Sequence, residues 1–427
     1  MIDNNDSIIN ENRPLLTSDV NNQKIKFRDK SIYNVVILGI SFCILFSAFA
    51  PTQNLETTVN QDLGFLSLSI LYGFLSFSNI ISPLIVIKLG EKWALILSTL
   101  TYILYIAANI KVTSVTLCLA AAILGVGGAV LWTAQGSWVI RCSTVDTLGF
   151  HTGLFFALFQ MDQLIGNLGA GVLITSGLSD TTLFLILTIV ASSSILGFLM
   201  LGNPKKQMES GKEEEDKLMP TSKRLMLTID ILKERPIQLL VPALLYSGIS
   251  QSFFFGVFPP LSGKDHLAYI MTVFGTCDVI GSVVFGKLSD MFGRKIIIVL
   301  STFLCMGGSI FVYIIYDIVA EDKKLALYFV CAGLMGFSDA GYNTQLYALV
   351  GSLYPTRGEP AVAVFKFVQS IATAIAFFYG HYVILYQHVI ILNSFVIPAC
   401  ILFIIVDYKF KPPPKNSIEE ESYQNKI

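Results

Sequence analysis

The sequence predicts an all-α integral membrane protein, with twelve transmembrane helices arranged as two six-helix pseudo-repeats. Three observations predict it. Of 427 residues, 53% are hydrophobic and only 14% are charged, against roughly one quarter charged in an ordinary soluble domain. Apolar runs near the roughly 20 residues that a spanning helix needs recur twelve times. Lys and Arg collect in alternate connections between these runs. The composition argues against a water-soluble enzyme. With a net charge of -1 and no basic tract outside short loops, the chain also lacks the electrostatic footprint of a nucleic-acid binder. The lipid bilayer is the expected partner.

Taken in order, residues 1–33 are polar and charged and read as a cytosolic tail, without the apolar stretch of a cleavable signal peptide. The first half, 34–201, holds expected spans at 34–55, 64–88, 93–110, 115–140, 150–176 and 181–201. A hydrophilic linker, 202–236, follows, with Lys205, Lys206, Glu213, Glu214, Glu215, Asp216, Lys223, Arg224 and Arg235. The second half, 237–406, holds spans at 237–260, 267–288, 295–316, 325–351, 360–385 and 388–406, and residues 407–427 form a second cytosolic tail. The cysteines all lie in or beside apolar runs, so no external disulfide framework is expected.

Orientation follows from charge, because cytoplasmic loops collect Lys and Arg. With the amino terminus inside, only Lys111, Lys264, Lys323 and Lys324 fall in outward segments, and Lys366 falls inside a span. Every other Lys and Arg falls inward, which places both termini in the cytosol. The halves also match at a nearly constant offset, as in a transporter built from repeats. Pro51 and Pro259 are expected to end the first and seventh spans. Gly125 and Thr133 match Gly336 and Thr344, and Phe156 and Gln160 match Phe365 and Gln369.

The loop after the eighth span reads Gly286-Lys-Leu-Ser-Asp290-Met-Phe-Gly293-Arg294-Lys295. It suits a hinge: Gly293 permits a tight turn, and Asp290 is placed to pair with a nearby Arg or to cap the next helix. This loop resembles the signature loop of the major facilitator superfamily. The equivalent first-half loop keeps only Gly90 and Lys92, with Pro83 and Ile87 in the places of Gly286 and Asp290. Leu131-Trp-Thr-Ala-Gln-Gly136, Asn343-Thr-Gln-Leu346, Phe365-Lys-Phe-Val-Gln-Ser370 and Phe377-Phe-Tyr379 narrow the likeness. Together they resemble the UNC-ninety-three-like branch, in particular its orphan major-facilitator-domain-containing members. The resemblance implies a major facilitator fold. It also implies one of two functions, since the branch holds channel regulators and trafficking partners beside transporters.

Charges at mid-membrane depth cost about 2.5 to 3.5 kcal/mol each on insertion scales and are functional candidates by default. Here they are Asp162, Asp278, Asp339 and Lys366. Their functional reading is a proton or cation site with Lys366 as counter-charge, tied first to Asp339; the plainer reading is a structural pair that fixes packing. By analogy with facilitator folds, Asp339 faces a cavity and Asp162 approaches Asp278 between the halves. Gln53, Trp132, Thr133, Gln135, Gln251, Asn343 and Gln345 are candidate cavity-lining groups, and interhelical hydrogen bonding is the alternative for most of them.

The four His are scattered at span ends, and no Walker loop, HExxH or nucleophile elbow occurs. No metal, cofactor or enzymatic activity is expected. The expected function is secondary transport of a small molecule or ion by alternating access; the alternative is a regulator or escort of a membrane-protein partner. Glu11, Leu15 and Leu16 form an acidic dileucine pattern of the kind that sorts membrane proteins to endosomes and lysosomes. The plasma membrane is the alternative location.

Overall fold

A computed structural model describes residues 16–143, 147–202, 221–354 and 357–410, and these are helical or lie in short connections. The helices are α1 (Leu16–Val59), α2 (Gln61–Leu89), α3 (Glu91–Ala108), α4 (Ser114–Arg141), α5 (Leu148–Phe159), α6 (Met161–Thr175) and α7 (Asp180–Met200). They continue with α8 (Thr221–Lys233), α9 (Arg235–Ser252), α10 (Lys264–Phe292), α11 (Arg294–Ile318), α12 (Glu321–Leu353), α13 (Gly358–Gly380) and α14 (Leu385–Lys409). Among the described residues ten helices are long and apolar enough to cross a membrane. The third expected span coincides with α3. The fifth is divided into α5 and α6 at Gln160.

Several boundaries differ from expectation for physical reasons. The first helix begins at Leu16, inside the polar tail, and runs past Pro51 to Val59. Pro51 therefore does not end the span. A proline removes the hydrogen bond to the carbonyl four residues earlier, here that of Ser47, and Gly166 of α6 packs against that backbone, where an added Cβ would lie 2.5 Å from the Ser47 oxygen. Pro259, by contrast, does stop its helix: after α9 come a π-helical turn, Phe253–Val257, and a 3-10 turn, Pro259–Ser262. The linker carries a helix, α8, packed on α13.

Helices α1 to α7 pack among themselves, as do α9 to α14, and the two groups meet along α2 with α13 and α6 with α10. Glycine sets the closest approaches. Gly125 of α4 presses on the α2 backbone at Leu71, and Gly336 of α12 presses on the α10 backbone at Phe274. Thr133 and Thr344 each donate to the carbonyl four residues back, at 2.8 and 2.7 Å. The offset pairs of the sequence thus perform matching local tasks in α4 and α12. The Gln160 and Gln369 pair does not, because Gln160 sits at a helix break and Gln369 inside the continuous α13.

At one end of the bundle, polar contacts join the two groups: Asp62 with His381 at 2.9 Å, Asp180 with Lys264, and Thr175 with Tyr269 at 3.0 Å. At the other end the described ion pairs stay within a group or join it to the linker: Glu91 with Arg141, Asp407 with Arg294, and Glu234 with Arg357.

Candidate functional site

The seam between α6 and α10 is built around the break at Gln160. Because α6 starts there, Asp162 falls in its first turn, where the helix dipole favours a carboxylate. Asp162 is fully buried. Its Oδ2 accepts from the Gln163 amide at 3.1 Å, while Oδ1 has no partner among the described residues. Gln163 is held in turn. Its backbone carbonyl and its Oε1 accept from Asn167 at 2.8 and 3.3 Å, and Asn167 Oδ1 accepts from Asn54 of α1 at 3.1 Å.

Facing this chain is α10. Gly275 lies against the Gln163 side chain, leaving no room for a Cβ, and Gly281 lies against Ala340 of α12. Asp278 sits one turn from each. It is therefore placed where α10 meets both α6 and α12, within electrostatic reach of Asp162 and Asp339. Asp278 and Asp339 are half-buried.

Lys366 takes different partners from those expected. Its Nζ donates to Gln369 Oε1 at 2.9 Å and stands 5.3 and 5.4 Å from the ring centroids of Tyr347 and Phe365. Its charge reaches Asp339, but the ion pairs of the described residues do not include it. An amide and aromatic faces satisfy an ammonium without a carboxylate.

Most of the uncharged candidates tie helices together. Gln53 accepts from Tyr72 at 3.3 Å, Gln251 accepts from Thr373 at 3.2 Å, and Gln345 accepts from Ser289 at 2.9 Å. Thr133 and Ser82 hydroxyls lie 2.7 Å apart. Gln135 is buried, whereas Asn343 keeps some exposure. Trp132 is half-buried and packs edge-on against Phe42 at 5.4 Å.

At the loop motif, Gly293 has φ 85 and ψ 156 between α10 and α11, a region that is essentially open to glycine alone. Gly90 has nearly the same angles, φ 76 and ψ 148, between α2 and α3. The turn therefore persists in the first group although most of the motif is missing. Its supports differ: Lys92 donates to the carbonyls of Leu199 and Leu201 at the end of α7, at 2.7 and 2.8 Å. In the second group Arg294 pairs with Asp407 at 3.1 Å, and Lys295 lies over the Tyr408 ring at 5.0 Å. Gly286 has open space around it. The side chain of Asp290 lies outside the described residues, as do Glu11, Leu15 and the side chain of Leu16.

One charged residue escaped the sequence reading. Glu56 is fully buried in α1, accepting from Ser67 at 2.7 Å and from Tyr105. It stands one residue beyond the expected end of the first span, 34–55. A lone acid within one turn of an apolar run was the available signal.

The fold and the polar seam define a helical membrane protein of the major facilitator transporter architecture. Two solved structures illustrate it. A POT family transporter in complex with 5-aminolevulinic acid superposes with a TM-score of 0.67 over 89% of this chain and 96% of its own, at 9% identity. A D-xylose-proton symporter superposes with a TM-score of 0.62 over 90% and 98%, at 14% identity. At these identities the likeness is one of fold. The chain belongs to the UNC-93 family: the profile described as "Ion channel regulatory protein UNC-93" matches residues 55–404. It is 31% identical to the UNC93-like protein MFSD11 of Xenopus laevis, over 89% of this chain and 96% of that protein. It is 32% identical to UNC93-like protein 3 of Arabidopsis thaliana, over 90% and 87%.

Proposed function

We propose that this chain is a secondary transporter that moves a small solute by alternating access between two six-helix halves, 34–201 and 237–406. In this reading twelve spans cross the membrane, with α3 and the α5 and α6 pair as the third and fifth, and both termini are cytosolic. The observation that carries it is the pair of carboxylates inside the bundle, Asp278 on α10 and Asp339 on α12, within electrostatic reach of one another. Charges at that depth are costly and mark solute or ion pathways. Polar contacts joining the halves at the end that carries the α1–α2 connection, the outward end in this orientation, fit a state closed to the outside.

The reading is tested by reconstituting the purified chain in liposomes and screening uptake of a broad solute panel with and without a pH gradient. Uptake that exceeds empty liposomes and falls in Asp278→Asn and Asp339→Asn supports it. Uptake of nothing by a folded protein refutes it. The second reading, a regulator or escort of another membrane protein, draws on the description of the family as ion channel regulatory. It predicts co-purification with a channel in place of uptake. For location we propose endosomes and lysosomes, through Glu11, Leu15 and Leu16 in a cytosolic tail.

A further inference from the structure

We propose that Lys366 and Gln369 form the binding site for a single carboxylate, carried by a small monoanionic organic solute. The proposal deepens the transport reading and rests on it for the movement of the solute, though not for its binding.

The first argument is the orientation of the Gln369 amide. Lys366 Nζ donates to Gln369 Oε1 at 2.9 Å. An ammonium offers donors and no acceptor, so the amide has to present its oxygen to it; turned over, the amide would set donor against donor. In the orientation that Lys366 enforces, Gln369 Nε2 is buried without a hydrogen-bond partner among the described residues, on a side chain only 3% exposed. Buried donors are as a rule paired. The acceptors nearby are engaged: Gln251 Oε1 and the Gly248 carbonyl both accept from Thr373, each at 3.2 Å. Nor is the backbone free to move, because Gly248 of α9 packs against the Gln369 carbonyl, where an added Cβ would lie 2.3 Å from the oxygen. The missing acceptor has to come from a ligand.

The second argument is charge. The Lys366 ammonium stands 5.3 and 5.4 Å from the ring centroids of Tyr347 and Phe365, and these rings lie 4.9 Å apart at 61°. Amide and rings orient the ammonium, but none of them carries a charge to neutralise it. Asp339 is within electrostatic reach, yet no ion pair or hydrogen bond among the described residues joins the two. A cation fixed inside a span without a bonded counter-ion marks a solute pathway.

The third argument sets the ligand's chemistry. The amide nitrogen lies about 2.3 Å from its own oxygen by amide geometry, so Nε2 is within about 5 Å of Nζ. The two oxygens of one carboxylate can accept from both, and the bond to the ammonium is charge-assisted. Lys366 supplies one positive charge, and Asp339 opposes a second negative charge on the ligand. Tyr347, 38% exposed, presents a ring face beside the ammonium, which suits an apolar or aromatic body behind the carboxylate.

The test uses the purified full-length chain. Thermal unfolding is measured against increasing sodium lactate, benzoate or para-aminohippurate, with sodium chloride holding ionic strength constant. Benzamide serves as the uncharged counterpart and succinate as the dianion. The measurement is repeated in phosphatidylcholine nanodiscs with and without phosphatidylglycerol, whose headgroup is the other source of a single negative charge. Liposome uptake of radiolabelled lactate and para-aminohippurate is measured in parallel. The expected result is saturable stabilisation by at least one monocarboxylate, beyond that of chloride, benzamide and succinate. Half-saturation is weakened by about tenfold or more in Lys366→Met and in Gln369→Glu. Should Lys366→Met fail to fold, Gln369→Glu decides, since it keeps an acceptor for Lys366 while removing the Nε2 donor and supplying the negative charge from within. Met291→Ala, an exposed change, leaves the response unaltered. No stabilisation specific to carboxylates, or stabilisation unchanged in the folded variants, overturns the proposal. Stabilisation by phosphatidylglycerol alone overturns it too. Carboxylate binding that the variants weaken, without uptake, keeps the site and removes the transport reading. Uptake of neutral or cationic solutes, indifferent to carboxylates and to both variants, keeps transport and removes the site.

Discussion

Glu56 Oε1 accepts a hydrogen bond from Ser67 Oγ at 2.7 Å, across the turn that joins α1 to α2. The same carboxyl accepts from Tyr105 of α3, so one acid gathers three helices at one end of the bundle. Gly64, pressed against the Glu56 carbonyl, allows α2 to come this close.

Removing the Glu56 side chain leaves Ser67 with the Gly64 carbonyl at 2.9 Å and Tyr105 with the Ser67 hydroxyl at 3.3 Å, and takes away two hydrogen bonds to an acid, each worth about 1.5–3 kcal/mol if it is charged. Glu56→Ala is therefore expected to lower the unfolding temperature of the detergent-purified protein more than Ser67→Ala or Tyr105→Phe does. Glu56→Gln, which keeps an acceptor, should fall between Glu56→Ala and the wild type. Equal losses in Glu56→Ala and Glu56→Gln would mean that the hydrogen bonds do not hold these helices.

Gly293 and Gly90 occupy backbone angles that cost other residues about 1–3 kcal/mol. Gly293→Val and Gly90→Val should each reduce thermal stability and surface expression. Met291→Ala, at a side chain 72% exposed, should leave both unchanged. Tolerance of valine at both glycines would contradict the turn geometry.

Lys366 is expected to couple more strongly to Gln369 than to Asp339. In double-mutant cycles on thermal stability, the Lys366→Met and Gln369→Leu pair should show coupling near the ~0.6 kcal/mol usual for membrane hydrogen bonds. The Lys366→Met and Asp339→Asn pair should show less. The reverse order would restore a direct pairing of the two charges.

The ion pair of Lys264 with Asp180, half-exposed on both sides, contributes little to stability, about 0.2–1 kcal/mol. It is placed to bias conformation. Asp180→Lys should increase labelling of a cysteine introduced at Gln53 by an impermeant reagent added outside, and the charge swap with Lys264→Asp should reverse the increase. Labelling unaltered in Asp180→Lys would exclude a latch.

Replacing Leu15 and Leu16 with Ala in a fluorescently tagged chain should move it from acidic vesicles to the plasma membrane. An unchanged distribution would discard the sorting signal.

Spans were legible because hydrophobicity is additive along a run, and α4, α11 and α14 lie where the apolar stretches stand. The Gly293 turn was legible for a related reason, since its glycine requirement is local. Side-chain partners were not. Charge alone ties Lys366 to a carboxylate, yet Gln369 lies one turn along the same helix and Tyr347 across from it. Arg294 found Asp407, distant in sequence, in an end of the chain that carried no motif. Pro51 misled because the penalty of an internal proline depends on what meets the freed carbonyl. Only the fold brings Gly166 there.

The end of α9 has a mechanical consequence. Between Ser252 and Gly263 the backbone passes from α-helix to a π turn, with Phe258 donating to the Phe253 carbonyl at 2.9 Å, and then to a tighter 3-10 turn. A 3-10 turn advances about 2.0 Å per residue against about 1.5 Å in an α-helix, and a π turn takes up an extra residue. The segment therefore stores slack. Rewinding a few residues from one pitch to another would lengthen or shorten it, with the amides of the residues other than Pro259 and Pro260 passing to neighbouring carbonyls. Since α10 begins at this joint, a change in winding would act first on the contacts at its start, Lys264 with Asp180 and Tyr269 with Thr175.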